Sequence, residues 1–83
     1  MSNSLKAFKE IKRYFDSLAE EGVPPEMEID EVCQAMERHH GTKWEDTSEA
    51  VEFLRSNNII DIYWEHGECW ITPGTQWGVW DPK

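Results

Sequence analysis

Positive charge is scarce in this 83-residue chain: eight lysines and arginines stand against seventeen aspartates and glutamates, for a formal charge of −9. The shortage is uneven. Lys6, Lys9, Lys12 and Arg13 gather in residues 1–15 beside Glu10 alone, whereas residues 16–52 set a long series of carboxylates against only Arg38 and Lys43. Affinity for nucleic acid comes mainly from Lys and Arg displacing counterions from phosphates, so this balance disfavours nucleic acid as a partner and favours a protein with a basic surface. Cysteine is nearly missing, and Cys33 and Cys69 are too few for a disulfide scaffold, so both are expected as reduced thiols. No apolar run is long enough to span a bilayer, and Lys6, Lys9, Glu10, Lys12 and Arg13 interrupt the stretch where a signal peptide needs its apolar segment. Internal repeats are absent too. These absences predict a cytoplasmic protein without membrane contact, one domain over residues 1–83 with its core at about 5–74 and an aromatic tail at 75–83.

Aromatic residues, by contrast, are plentiful: five tryptophans, three phenylalanines and two tyrosines. A domain of this size buries only roughly 60–65% of its unfolded surface, so most large side chains must help to build the core. An aromatic that the core does not need is therefore informative.

From Ser4 to Glu21, Leu5, Phe8, Ile11, Phe15 and Leu18 recur at three- and four-residue spacing, the stripe of an amphipathic helix, with Asn3 or Ser4 as its cap and Gly22 as its stop. "VPPE" excludes helix and leads into a short extended piece at Met27 to Ile29. Asp30 is placed to cap a second helix, Glu31 to His40, ended by Gly41. "DTSE" signals a third: Asp46 as cap and Glu49 three residues on form a capping-box-like pair, Ala50, Val51, Phe53 and Leu54 supply an inward face, and Asn57-Asn58 stops it. In "NNIIDIYWEHGECWITPG" a turn at His66-Gly67 pairs Ile62 with Ile71 and Trp64 with Cys69 on one face, and Tyr63 with Trp70 on the other.

Three helices, an extended piece between the first two and a hairpin after the third resemble the winged helix-turn-helix superfamily. The local match is "FLRSNNIIDIYWEHGECWITPG", where Leu54, Asn58, Ile59, Ile60, Ile62, Trp64, Ile71 and Thr72 occupy the places of the family's third-helix ending and wing. The resemblance implies a small α+β fold with a C-terminal β-hairpin wing. In DNA-binding members the third helix enters the major groove and the wing touches phosphates, so both are expected to carry Lys, Arg, Asn or Gln. Here the exposed positions of that helix include Asp46, Glu49 and Glu52 against Arg55, and the wing tip reads Glu65, His66, Gly67, Glu68.

Other chemistries find little support in the residues. Cys33 and His40 lie two helical turns apart, about 10 Å, too far to share an ion at ~2 Å bonds, and the familiar zinc spacings are absent. Paired carboxylates lack the EF-hand pattern, and neither cysteine has a cationic neighbour to make it a nucleophile. The expectation is no enzyme, no metal and no cofactor. Ile62, Trp64 and Ile71 suffice to pack the wing on the helices, which leaves Tyr63 and Trp70 outside. Either the tail folds back so that Trp77 or Trp80 covers them, or a second protein or second copy of the chain does.

The leading functional expectation is a small acidic protein-interaction module, an adaptor, regulator or inhibitor, whose carboxylates imitate nucleic-acid charge as small phage or mobile-element proteins do. Glu45, Asp46, Glu49 and Glu52 are its candidate charged contacts; Tyr63, Trp70, Trp77 and Trp80 are its apolar ones. The alternative is a dimeric winged-helix transcriptional regulator that holds DNA through helix 1 or the Lys43–Arg55 neighbourhood.

Overall fold

A computed structural model of the chain describes residues 2–79. Its first element, α1 (Asn3–Glu20), buries Ala7, Phe8, Ile11 and Phe15 as the spacing predicts, while Leu5 and Leu18 at its ends are half-buried. The cap is Ser2, whose Oγ accepts the Leu5 N–H at 3.2 Å, one residue earlier than expected. At the other end Gly22 takes φ 73°, so that Val23 N–H reaches the Leu18 carbonyl at 3.0 Å and Gly22 N–H the Ala19 carbonyl at 3.1 Å. This is a Schellman closure, which satisfies two carbonyls that the helix leaves over.

β1 (Met27–Glu28) follows, and α2 (Ile29–His40) begins directly after it. Asp30 is thus not the cap; it lies in the first turn with Glu31, where both charges face the positive end of the helix dipole. α3 (Trp44–Ser56) likewise starts earlier than predicted, with Lys43 at the cap position and no side-chain cap bond. The Asp46–Glu49 capping pair therefore does not form. Glu45 and Asp46 instead occupy the first turn, stabilised by the dipole rather than by a cap. The buried face of α3 is Thr47, Ala50, Val51 and Leu54; Phe53, expected inside, lies one residue off that face and is 47% exposed. Asn58 (φ 62°) ends α3 with the same paired hydrogen bonds that end α1, Ile59 N–H to Leu54 and Asn58 N–H to Arg55.

β2 (Ile60–Glu65) and β3 (Glu68–Pro73) form the predicted hairpin with the predicted register, Ile62 opposite Ile71, Tyr63 opposite Trp70 and Trp64 opposite Cys69. His66 and Gly67 both have positive φ, 52° and 80°, as a type I′ turn requires. β1 pairs antiparallel with the far side of β3, giving a sheet of order β1-β3-β2. Met27, Ile60 and Ile71 on its inner face close one core with Ile11, Phe15, Val32, Met36, Val51 and Leu54 from all three helices. The result is a small α+β domain in a winged-helix-like arrangement: three helices and a three-stranded antiparallel sheet with the hairpin at its C-terminal side.

Two aromatic placements differ from expectation. Trp64 alternates to the inner side but is 72% exposed, because it lies one residue from the tip of an edge strand, while its partner Cys69 on the central strand is buried. Trp77 returns to the core instead of the wing. Gly74 N–H bonds to the Ile59 carbonyl and Gln76 N–H to that of Asn58, and the chain then brings the Trp77 ring 4.8 Å from Phe8 and 5.1 Å from Phe15 on α1. Among the described residues no helix is long and apolar enough to cross a membrane.

Candidate interaction surfaces

The outward face of α3 collects the predicted charged residues. At 3.6 residues per turn, Glu45, Glu49 and Glu52 fall within about 60° of arc, opposite the buried stripe, and Asp46 lies beside them next to the exposed Phe53. Arg55, the basic residue of this helix, is committed to Glu52: its Nε donates to Glu52 Oε2 at 2.8 Å and its Nη2 donates to Oε1. That forked bond holds the Glu52 carboxyl below its ordinary value. Glu45, Asp46 and Glu49 have no ion pair among the described residues. The ridge is therefore negative along its length, with the exposed Phe53 ring, predicted to face inward, at its edge.

The sheet supplies the second surface. Tyr63 and Trp70, the predicted outward pair, are each half-buried, and the Tyr63 hydroxyl donates to Glu26 Oε2 at 2.6 Å. That bond, with partial burial and the charges of Glu26 and Glu65, pushes the phenol up to about 12. α3 leads into β2 through a short turn, and the two elements pack against each other. Trp77 belongs to neither surface, being packed on α1. Trp80 lies outside the described residues.

Two of the four basic residues on α1, Lys12 and Arg13, are engaged within their own helix. Lys12 Nζ pairs with Asp16 at 2.9 Å and Arg13 approaches Glu10 at 3.5 Å. Glu10 itself was not singled out by the sequence, yet its side chain is only 4% exposed and its Oε1 meets His39 Nδ1 at 3.1 Å and His40 Nε2 at 3.2 Å. The signal was present as the helical spacing Ala7, Glu10, Tyr14, which runs along the edge of the buried stripe. A cleft of about 520 Å³ opens beside this cluster between α1 and α2, lined by Glu10, Arg13, Tyr14, Glu31, Arg38 and His39 among others. The Glu31 carboxylate beside it, then burial and the charge of Glu21, push the Tyr14 phenol up to about 12. The cleft has charges of both signs and no single chemical character.

Both cysteines are free and buried, and burial followed by the charge of Asp30 pushes each thiol up, away from the thiolate that nucleophilic chemistry needs. Among the described residues no group of three or more His, Cys, Asp or Glu is arranged to hold a metal ion. Comparison with protein-family models, with characterised proteins and with solved structures yields no match.

Proposed function

We propose that this chain is a protein-interaction module, an adaptor, regulator or inhibitor, which uses a winged-helix framework to present negative charge to a basic partner. The observation that carries the reading is the sign of the third helix: Glu45, Asp46, Glu49 and Glu52 face outward and Arg55 is committed to Glu52. In the superfamily that the fold resembles, this helix and the wing meet a phosphate-lined groove, and carboxylates there repel the ligand. The same carboxylates imitate the charge of nucleic acid and fit a basic groove on a protein that handles it, within the cytoplasm. Capture proceeds in two stages. Long-range attraction between the ridge and the partner raises the association rate, and burial of Phe53, Tyr63 and Trp70 then slows release.

The test is stopped-flow association with a partner recovered by affinity capture from the native host. Glu49→Gln combined with Glu52→Gln is expected to slow association several-fold at low salt and to flatten its dependence on ionic strength, with little change in the dissociation rate. An association rate that is insensitive to both the substitutions and salt removes the electrostatic half of the proposal.

A further inference from the structure

The outward face of the sheet has a composition that specifies more than a generic apolar contact. Side chains alternate across a strand, so β2 presents Asp61, Tyr63 and Glu65, β3 presents Glu68, Trp70 and Thr72, and the register sets Glu28, Trp70 and Tyr63 in one row across three strands. Glu26 joins them through its 2.6 Å bond to the Tyr63 hydroxyl. Two aromatic rings are thus bordered by Glu26, Glu28, Asp61, Glu65 and Glu68, and no outward position of the sheet is Lys or Arg.

This arrangement works against the isolated domain. Glu65 stands directly opposite Glu68, a like-charge pair that destabilises a sheet. Partial burial, then the charges of Glu68 and Asp30, push the Glu28 carboxyl above its ordinary value. A second copy of the chain, facing this surface with its own, would bring carboxylates against carboxylates. A neutral apolar partner would leave them desolvated and unpaired. A cation that is planar, weakly hydrated and able to bond carboxylates through two donors at once relieves both problems, and it stacks on an aromatic face where an ammonium does so less well.

We propose that the outer face of the sheet binds an arginine-bearing segment of a partner protein, with a guanidinium over the Trp70–Tyr63 pair and its N–H groups on Glu28 and Glu68. This rests on the reading of the chain as an interaction module and adds the chemistry of what it holds. The bond from Tyr63 to Glu26 fixes the phenol ring, so the aromatic half of the site is formed before the partner arrives.

The probe is a short blocked peptide containing arginine, compared with the same peptide carrying lysine or glutamine at those positions, titrated into the ¹⁵N-labelled 83-residue chain at low ionic strength. Shift changes are expected at Glu28, Tyr63, Glu68 and Trp70, with the arginine peptide binding several-fold tighter than the lysine one and the glutamine one not binding. Trp70→Ala is expected to weaken binding about tenfold. So is Glu28→Gln combined with Glu68→Gln, which leaves the rings in place and keeps the test valid if the tryptophan variant misfolds. Equal affinity for arginine and lysine, undiminished in these variants, overturns the inference. Shifts confined to α3 and lost with Glu49→Gln also overturn it while leaving the α3 reading intact, since that reading stands or falls on partner association kinetics. If the peptide binds only after residues 80–83 are removed, the chain's own tail is the occupant and the inference is likewise overturned.

Discussion

Replacing Gly74 by alanine probes how the tail is fastened to the domain. A Cβ at this position falls 2.8 Å from the Asn58 carbonyl carbon and 3.0 Å from that of Ile59, and closer still to the Asn58 oxygen. All three are backbone atoms, and Asn58 is held at φ 62° by the closure of α3, so no side-chain rotation relieves the clash. The tail must lift. Lifting breaks the bonds from Gly74 N–H to Ile59 at 3.0 Å and from Gln76 N–H to Asn58 at 2.8 Å, each contributing about 0.5–1.5 kcal/mol net. It also loosens Trp77 from Phe8 and Phe15, for about 1 kcal/mol more. The sum is about 2–4 kcal/mol. Against roughly 4–12 kcal/mol for a domain of this length, that lowers Tm by about 10–30 °C. Thermal unfolding followed by far-ultraviolet circular dichroism measures it directly. Trp77→Ala should lose part of the same energy, so the double variant should fall short of the sum of the singles. A Gly74→Ala protein that melts within about 2 °C of the parent would refute the close approach and the account of the tail built on it.

Other outcomes follow from single residues. In an alkaline titration monitored by tyrosine absorbance, both phenols should ionise near pH 12 rather than 10, and Tyr63→Phe should halve the amplitude of the wave. Because folding raises these values, the associated stability is complete below pH 10 and is lost as pH rises toward 12; a wave centred at 10 would contradict the Tyr63–Glu26 hydrogen bond and the placement of the Glu31 carboxylate beside Tyr14. His66→Asn places the favoured Asn-Gly pair in the type I′ turn and should raise stability by about 0.5–1 kcal/mol, read from denaturant midpoints. Arg55→Gln removes an exposed, solvent-screened ion pair and should leave the denaturant midpoint nearly unchanged, while the freed Glu52 charge should speed association with a basic partner.

The residues that were legible in the sequence are those whose local chemistry and tertiary setting agree. Gly22, Gly41 and Asn58 sit where a left-handed conformation ends a helix, and His66-Gly67 fixed the hairpin register with no help from distant contacts. The capping pair at Asp46 failed because α3 starts earlier; a carboxylate in the first turn satisfies the dipole nearly as well as one at the cap, so composition alone does not separate the two. Phe53 and Trp64 were misplaced for a different reason. Periodicity tells which face a residue takes, but the width of that face on α3 and the reach of the core along an edge strand depend on neighbours far away in sequence. Trp77 and the Glu10–His39–His40 cluster are long-range contacts of the same kind. For the site, the outward placement of Glu45, Asp46, Glu49 and Glu52 was readable from charge, and so was the Tyr63–Trp70 pairing.

The central claim is that the helix and wing which this type of fold lays against nucleic acid here carry the opposite sign. Fluorescence anisotropy with labelled mixed-sequence duplex DNA at low salt tests it most directly. The account predicts no saturable binding at micromolar protein. Binding tighter than micromolar that weakens steeply as salt is added would contradict it, and would turn attention to Lys6 and Lys9 on α1 as the phosphate contacts.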